Sequence, residues 1–262
     1  MNFKFQIFKF SITLPSILTA LMLFSGNTFA GLTIKANHDN IKIDFFYHGS
    51  TVSVKGASDP GVDLIIKITS PDGHEVLKQK GKAAGFLWMN TGTLNFEHTP
   101  NLYSLHSTKK LEDILSREEA EKYIIGYSAL NRHIEIKPVN NESEKATWFK
   151  EFIRFKESSK LYAASAGKIA VTLKDGRQEY YILTDWPYQA PPGDYFVTVH
   201  AVKDKKVIET AEANVHVEQV GSVKLLAQMA ENSAATYGII SILIAVAAGF
   251  GVGLIFKKGG AH

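Results

Sequence analysis

Hydrophobic positions follow three rhythms along this chain. They run nearly unbroken over Phe10–Phe24 and again from Tyr237 to Phe256. They alternate with polar positions over about 31–108 and 161–220. They recur every three to four residues over about 109–160. Each rhythm belongs to a different element, because side chains alternate across a strand and return to one face of a helix every 3.6 residues.

The alternating regions predict short strands at Leu32–Ala36, Ile41–Tyr47, Thr51–Gly56 and Val62–Thr69. Pro71-Asp72-Gly73 carries turn chemistry, and His74–Lys80 reads as the strand returning from it. Phe86–Asn90, Leu94–Glu97 and Leu102–His106 add three more. After residue 160 a hairpin is expected from Lys168–Lys174 and Glu179–Thr184 about Asp175-Gly176. A second follows, with Tyr195, Val197, Val199 and Ala201 on one face of its first arm. Ala211, Ala213, Val215 and Val217 share a face of the second arm. Many short strands at this spacing predict an immunoglobulin-like antiparallel β-sandwich, or two of them.

The middle segment predicts a helical insert over 109–160. Ser116 and Glu119 form a capping-box pattern, with Ala120, Tyr123, Ile124 and Tyr127 following at helical spacing. Asn141 and Glu144 cap a second helix in the same way. Its apolar face is Trp148, Phe149, Phe152, Ile153 and Phe155.

The two continuous runs predict membrane traffic. Lys4 and Lys9, the apolar stretch to Phe24 and the small residues Thr28 and Ala30 have the form of a secretory signal peptide over 1–30, cut after Ala30. Tyr237–Phe256 carries no charge and is long enough to cross about 30 Å of hydrocarbon as a helix. Residues 221–236 read as a stalk helix running directly into that span. Lys257 and Lys258 follow at once, in a tail over 257–262. Positive charge beside a span favours the cytoplasmic side. The expected topology is a bacterial inner-membrane protein crossing once, its main domain periplasmic or extracellular and its C-terminus cytoplasmic.

Charge narrows the partners. The formal charge is +3, but Lys4, Lys9, Lys257 and Lys258 are four of the 29 basic residues and lie where there are no acids. The remaining 25 face 26 acidic residues, so the exported part is near −1. A near-neutral domain has no stripe to neutralise phosphates, so nucleic acid is not an expected partner. With no cysteine, the domain depends on its hydrophobic core rather than disulfides, and thiol redox or c-type haem chemistry is excluded in this chain.

The layout resembles a family of uncharacterised bacterial transmembrane proteins first grouped from alphaproteobacteria. The matching pieces are Gly85-Phe86-Leu87-Trp88-Met89-Asn90, Pro100-Asn101-Leu102-Tyr103, the Pro192-Gly193-Asp194-Tyr195 hairpin entry and the single C-terminal span. The resemblance implies the topology but no activity. Some members are encoded beside permeases of the sulfite-exporter type, which implies a transporter partner.

The search for chemistry yields no catalytic motif. There is no Gly-x-Ser-x-Gly elbow, and Ser165-Ala166-Gly167-Lys168 lacks the glycines of a phosphate loop. No enzyme activity and no cofactor are expected. His98 and His106 flank the Pro100 loop and are the weak metal candidates, with His38 or Glu97 as a third ligand. Trp88, Asn90, Tyr103, Trp186 and Tyr188 are the candidate partner-binding residues, since Trp and Tyr anchor interfaces. Ser241, Ala245, Gly249 and Gly253 repeat every four residues and form a small-residue face, where the span can meet another integral membrane protein or a second copy. The expected function is an accessory protein binding a transporter or membrane complex. A periplasmic small-ligand or metal-binding module is the alternative, and a membrane-anchored hydrolase the remote one.

Overall fold

A computed structural model describes residues 31–37, 39–83 and 85–257. Residues 1–30, where a signal peptide is expected, lie outside the described residues, as do His38, Lys258 and His262.

Seven strands precede the helical segment: β1 (Lys35–Ala36), β2 (Asn40–Ile43), β3 (Ser50–Ser58), β4 (Asp63–Thr69), β5 (Asp72–Ala83), β6 (Leu87–Pro100) and β7 (Tyr103–Ser107). Helices α1 (Leu111–Ile114), α2 (Arg117–Lys122) and α3 (Tyr127–His133), strand β8 (Glu135–Lys137) and helix α4 (Glu142–Ser158) follow. Then come β9 (Tyr162–Ala166), β10 (Ala170–Lys174), β11 (Arg177–Trp186), β12 (Gly193–Lys203) and β13 (Lys206–Gln219). Two helices close the described chain, α5 (Gly221–Asn232) and α6 (Ala234–Lys257).

The fold is mainly β, with three sheets among the described residues. One has the order β1-β3-β11-β10, the second β2-β13-β12-β4-β7-β9, and the third β5-β6-β8. Strands from before and after the helical segment share both larger sheets, so the two β-regions of the sequence build one composite body.

The two larger sheets face each other across one core. Val52 and Val54 of β3 and Tyr180, Ile182 and Trp186 of β11 meet Leu64, Ile66 and Ile68 of β4. Tyr195, Val197, Val199 and Ala201 of β12 and Val215 and Val217 of β13 complete it. The expected faces of β12 and β13 are therefore the observed ones.

The other face of the six-stranded sheet is also covered. Ile65, Tyr103, Leu105 and Tyr162 pack beneath Leu94 and Phe96 of β6 and Phe149, Phe152 and Ile153 of α4. Burial on both faces explains why β4 reads Leu64-Ile65-Ile66 without alternation.

Two strand pairs are parallel, β2 with β13 and β7 with β9. A parallel neighbour needs a long crossover. For β7 and β9 that crossover is the helical segment, which lies over the sheet and fills the second core. Within it, the Ser116 hydroxyl accepts from the Glu119 amide at 3.3 Å as expected. The Glu119 carboxylate does not reach back to Ser116; it accepts from the Val207 amide at 2.9 Å and fastens α2 to the β12–β13 hairpin. Asn141 caps α4 through the Glu144 amide at 2.9 Å.

Phe155 is not on the buried face of α4. It is exposed, and Lys156 takes the inward position, paired with Glu75 and lying over the rings of Phe152 and Tyr162. A lysine can sit inward because its methylene stem is apolar and its ammonium meets a carboxylate.

Two hairpins fold as their turns dictate. Asp175 and Gly176 both have positive φ, 50° and 77°, joining β10 to β11 in the left-handed geometry a two-residue hairpin needs. Asp204 and Lys205 do the same between β12 and β13 at 51° and 63°. The turn at Pro71–Gly73 behaves differently. β5 does not return along β4; it leaves the sheet and pairs with β6 in a long ribbon, and Phe86–Asn90 and Leu94–Glu97 merge into the single strand β6. β4 instead pairs with β12 and β7, which occupy both its edges.

The stalk and span are not one continuous helix. Ser233 breaks them with non-helical backbone (φ −147°, ψ 54°), its carbonyl accepting a hydrogen bond from the Tyr237 amide to begin α6. Asn232 and Ser233 are of the types that favour helix ends over interiors.

Candidate interaction surfaces

The structure scatters the candidate partner-binding residues over three places. Trp88 and Asn90 lie on the outer part of the β5–β6 ribbon. Beyond Leu77 and Leu94 the described residues of the ribbon make no contribution to either core, and Phe86, Leu87, Trp88 and Met89 are all exposed, Trp88 at 66%. Lys82 stands 5.3 Å from the centre of the Trp88 ring. The ribbon survives without a core because each arm satisfies the other's backbone, Lys82 opposite Trp88 and Lys80 opposite Asn90.

Tyr103 is not on that surface. It is 1% exposed, and its hydroxyl donates to the Ile124 carbonyl at 3.0 Å and accepts from the Gly126 amide at 2.8 Å. Burial pushes its phenol well above the ordinary range. Tyr103 ties the α2–α3 connection to the sheet, a structural role that its neighbourhood to Pro100 in sequence concealed.

Trp186 and Tyr188 part company. Trp186 is 4% exposed and meets Tyr195 edge to face at 4.8 Å, so it belongs to the main core. Pro187 turns the chain outward, and Tyr188 stands 69% exposed, stacked on Tyr47 with ring centres 6.2 Å apart. Trp186 and Tyr188 line an open groove of about 710 Å³ with His48, Ser50, Lys160 and Asp185.

The metal candidates are not brought together. His98 sits at a break in the β5–β6 register with positive φ, its ring 5.8 Å from that of His133. His106 is buried, with Nε2 3.0 Å from the Ser104 hydroxyl and Nδ1 2.6 Å from that of Ser165. Both imidazole nitrogens are thus engaged by hydroxyls, which stitches the parallel strands β7 and β9. Glu97 pairs instead with His74 at 2.9 Å. Among the described residues no group of three His, Cys, Asp or Glu side chains has metal-binding geometry.

Burial lowers the pKa of two histidines to about 4: His106, with Lys168 adding a smaller push, and His200, with Lys67 doing likewise. Their folded values lie below the unfolded 6.5, so the unfolded chain binds the extra protons. The stability they supply is complete above pH 6.5 and drains away as pH falls toward 4. At about 1.4 kcal/mol per pH unit, each imidazole withdraws about 3 kcal/mol over that window. The melting temperature should therefore fall between pH 7 and 5, and His106→Asn with His200→Asn should flatten the decline. An unchanged slope in that double variant would contradict the assignment.

Ser241, Ala245, Gly249 and Gly253 all lie exposed along α6. Ser241 donates to the Tyr237 carbonyl at 2.8 Å, satisfying its hydroxyl within the helix. The apolar window Ala234–Leu254 is 21 residues, none buried against the rest of the chain. At about 1.5 Å per residue it matches the thickness of a hydrocarbon core.

A β-rich body joined to one exposed apolar helix of spanning length defines a membrane protein with an extramembrane domain. The chain belongs to the family described as "Putative transmembrane protein" (Alph_Pro_TM), whose model matches residues 31–258. No curated protein matches it.

Proposed function

We propose that this chain is a non-enzymatic accessory protein of the bacterial inner membrane whose exported domain binds a partner that is itself an integral membrane protein, a transporter or membrane complex. The signal peptide over 1–30 carries the domain out, and the lysines after the span hold the tail in the cytoplasm. The strand orders β1-β3-β11-β10 and β2-β13-β12-β4-β7-β9 support an immunoglobulin-like reading of the body, a scaffold suited to presenting loops and arms.

The observation that carries the binding reading is the β5–β6 ribbon. Four consecutive apolar residues, Phe86–Met89, are exposed at the end of an arm that no core requires. A contiguous exposed apolar patch of this kind marks an interaction site. A central Trp is the residue type that most often carries interface energy.

Trp88→Ala should change the melting temperature little, as surface substitutions away from packing usually shift stability by within about 0.5 kcal/mol. It should lower the yield of any partner recovered in mild detergent by about tenfold or more. Site-specific photocrosslinking from position 88 in intact membranes gives the direct test. A protein adduct larger than the chain is expected; adducts with lipid alone, or none, would sink the reading.

A further inference from the structure

The register places several chain segments at one end of the body. β13 finishes at Gln219 opposite the end of β2 at Ile43, and the Val220 amide donates to the Ile43 carbonyl at 3.0 Å. α5 therefore leaves from the same end as the loop over 44–49. That loop carries Phe45 and Phe46, both exposed and in edge-to-face contact at 5.3 Å.

α5 has two unlike faces. Lys224, Ala227, Gln228 and Glu231 recur at helical spacing and line a shallow hollow of about 410 Å³ shared with Pro192, Gly193 and His216–Gln219 at the end of the body. Lys224 also helps hold the Glu218 carboxyl below its usual range, after the stronger effect of the Asn40 hydrogen bond. The opposite face presents Leu225, Leu226 and Met229. The two leucines are exposed, and among the described residues nothing covers them.

We infer that α5 lies flat in the headgroup layer of the bilayer, its Leu225–Leu226–Met229 face against lipid, and that the Phe45–Phe46 loop enters the same layer beside it. The bilayer is the occupant because the span follows this helix immediately along the chain. Ser233 alone separates α5 from α6, so Asn232 is fixed at the membrane surface. The break at Ser233 frees α5 from the axis of α6. Upright, a 12-residue helix would lift the body about 18 Å and leave both leucines in water. Lying flat, it turns its polar face to the protein and its apolar face to the acyl boundary, as interfacial amphipathic helices do. Phe45 and Phe46 supply large side chains of the kind that interfacial anchors use.

The inference rests on the span and not on the identity of any partner. The chain has no cysteine, so single cysteines introduced at residues 46, 224, 225, 226, 228 and 229 can each carry a spin label without further change. The full-length protein would be reconstituted in vesicles of phosphatidylethanolamine and phosphatidylglycerol. Accessibility to oxygen relative to a water-soluble nickel chelate should be severalfold higher at 225, 226, 229 and 46 than at 224 and 228. A label at Ile244 must report hydrocarbon depth, which separates failure of the span from failure of the inference. Uniform nickel access along α5 would overturn it in favour of an upright stalk. Labels at 225 and 226 shielded from both agents would overturn it in favour of a protein contact. Water-like values at 46 would remove the loop from the membrane.

Discussion

Phe152→Ala should cost about 3–5 kcal/mol, the usual loss when a buried aromatic ring is deleted from a packed core. Phe152 is 1% exposed, stacks on Phe96 at 4.5 Å and meets the edge of Tyr162 at 5.7 Å. It joins α4 to the third sheet and to β9 at once, and Lys156 lies over its face. Removing it leaves a void and strips apolar cover from a buried ammonium. In a body of this size the melting temperature should drop by about 10 °C in mild detergent. Phe155→Ala, three residues on and exposed, should leave it almost unchanged. Equal effects from both variants would mean that α4 is not seated on the sheet as described.

A second large effect is expected from a single methyl group. A Cβ built on Gly56 would lie 1.8 Å from the Thr33 carbonyl oxygen and 2.6 Å from the Tyr180 hydroxyl. These groups are fixed, since Tyr180 donates to that same carbonyl at 2.6 Å and the Thr33 amide donates to the Ala57 carbonyl at 2.9 Å. The obstacle is backbone, which cannot swing aside as a side-chain tip does. Gly56→Ala should cost about 3 kcal/mol or more by forcing the segment before β1 off β3. Adding Tyr180→Phe removes only the softer of the two clashes and should not restore stability. Full rescue by that second change would show that the carbonyl can move.

The sequence made some of this plain and hid the rest for physical reasons. Alternation and turn chemistry sufficed for β10, β11, β12 and β13, because each hairpin is local and β11 and β13 each bury a single face. The caps at Ser116 and Asn141 were legible because the contact lies within four residues. Long-range pairing was not. Nothing local in Asp72–Lys80 says that β5 abandons β4, a choice made by β7 and β12 competing for the same edges. The partner residues divided for a similar reason. Trp88 and Trp186 look alike in sequence, but one lies on a ribbon without a core and the other faces Tyr195 across the sandwich. Lys156 defied its polarity because Glu75, 81 positions earlier, supplies the countercharge. The apolar face of α5 was visible at helical spacing, yet only the break at Ser233 and the polar contacts of its other face suggest where that face points.

The most direct test concerns which side of the membrane each end of the chain occupies. Single cysteines at Tyr188, in the β-body, and at His262, in the tail, would be exposed to a membrane-impermeant maleimide in spheroplasts. Labelling at 188 in intact spheroplasts, with 262 labelled only after lysis, is the expected result. Labelling of both positions from outside, or of 188 only after lysis, would contradict a β-domain held outside the cell by one crossing of α6.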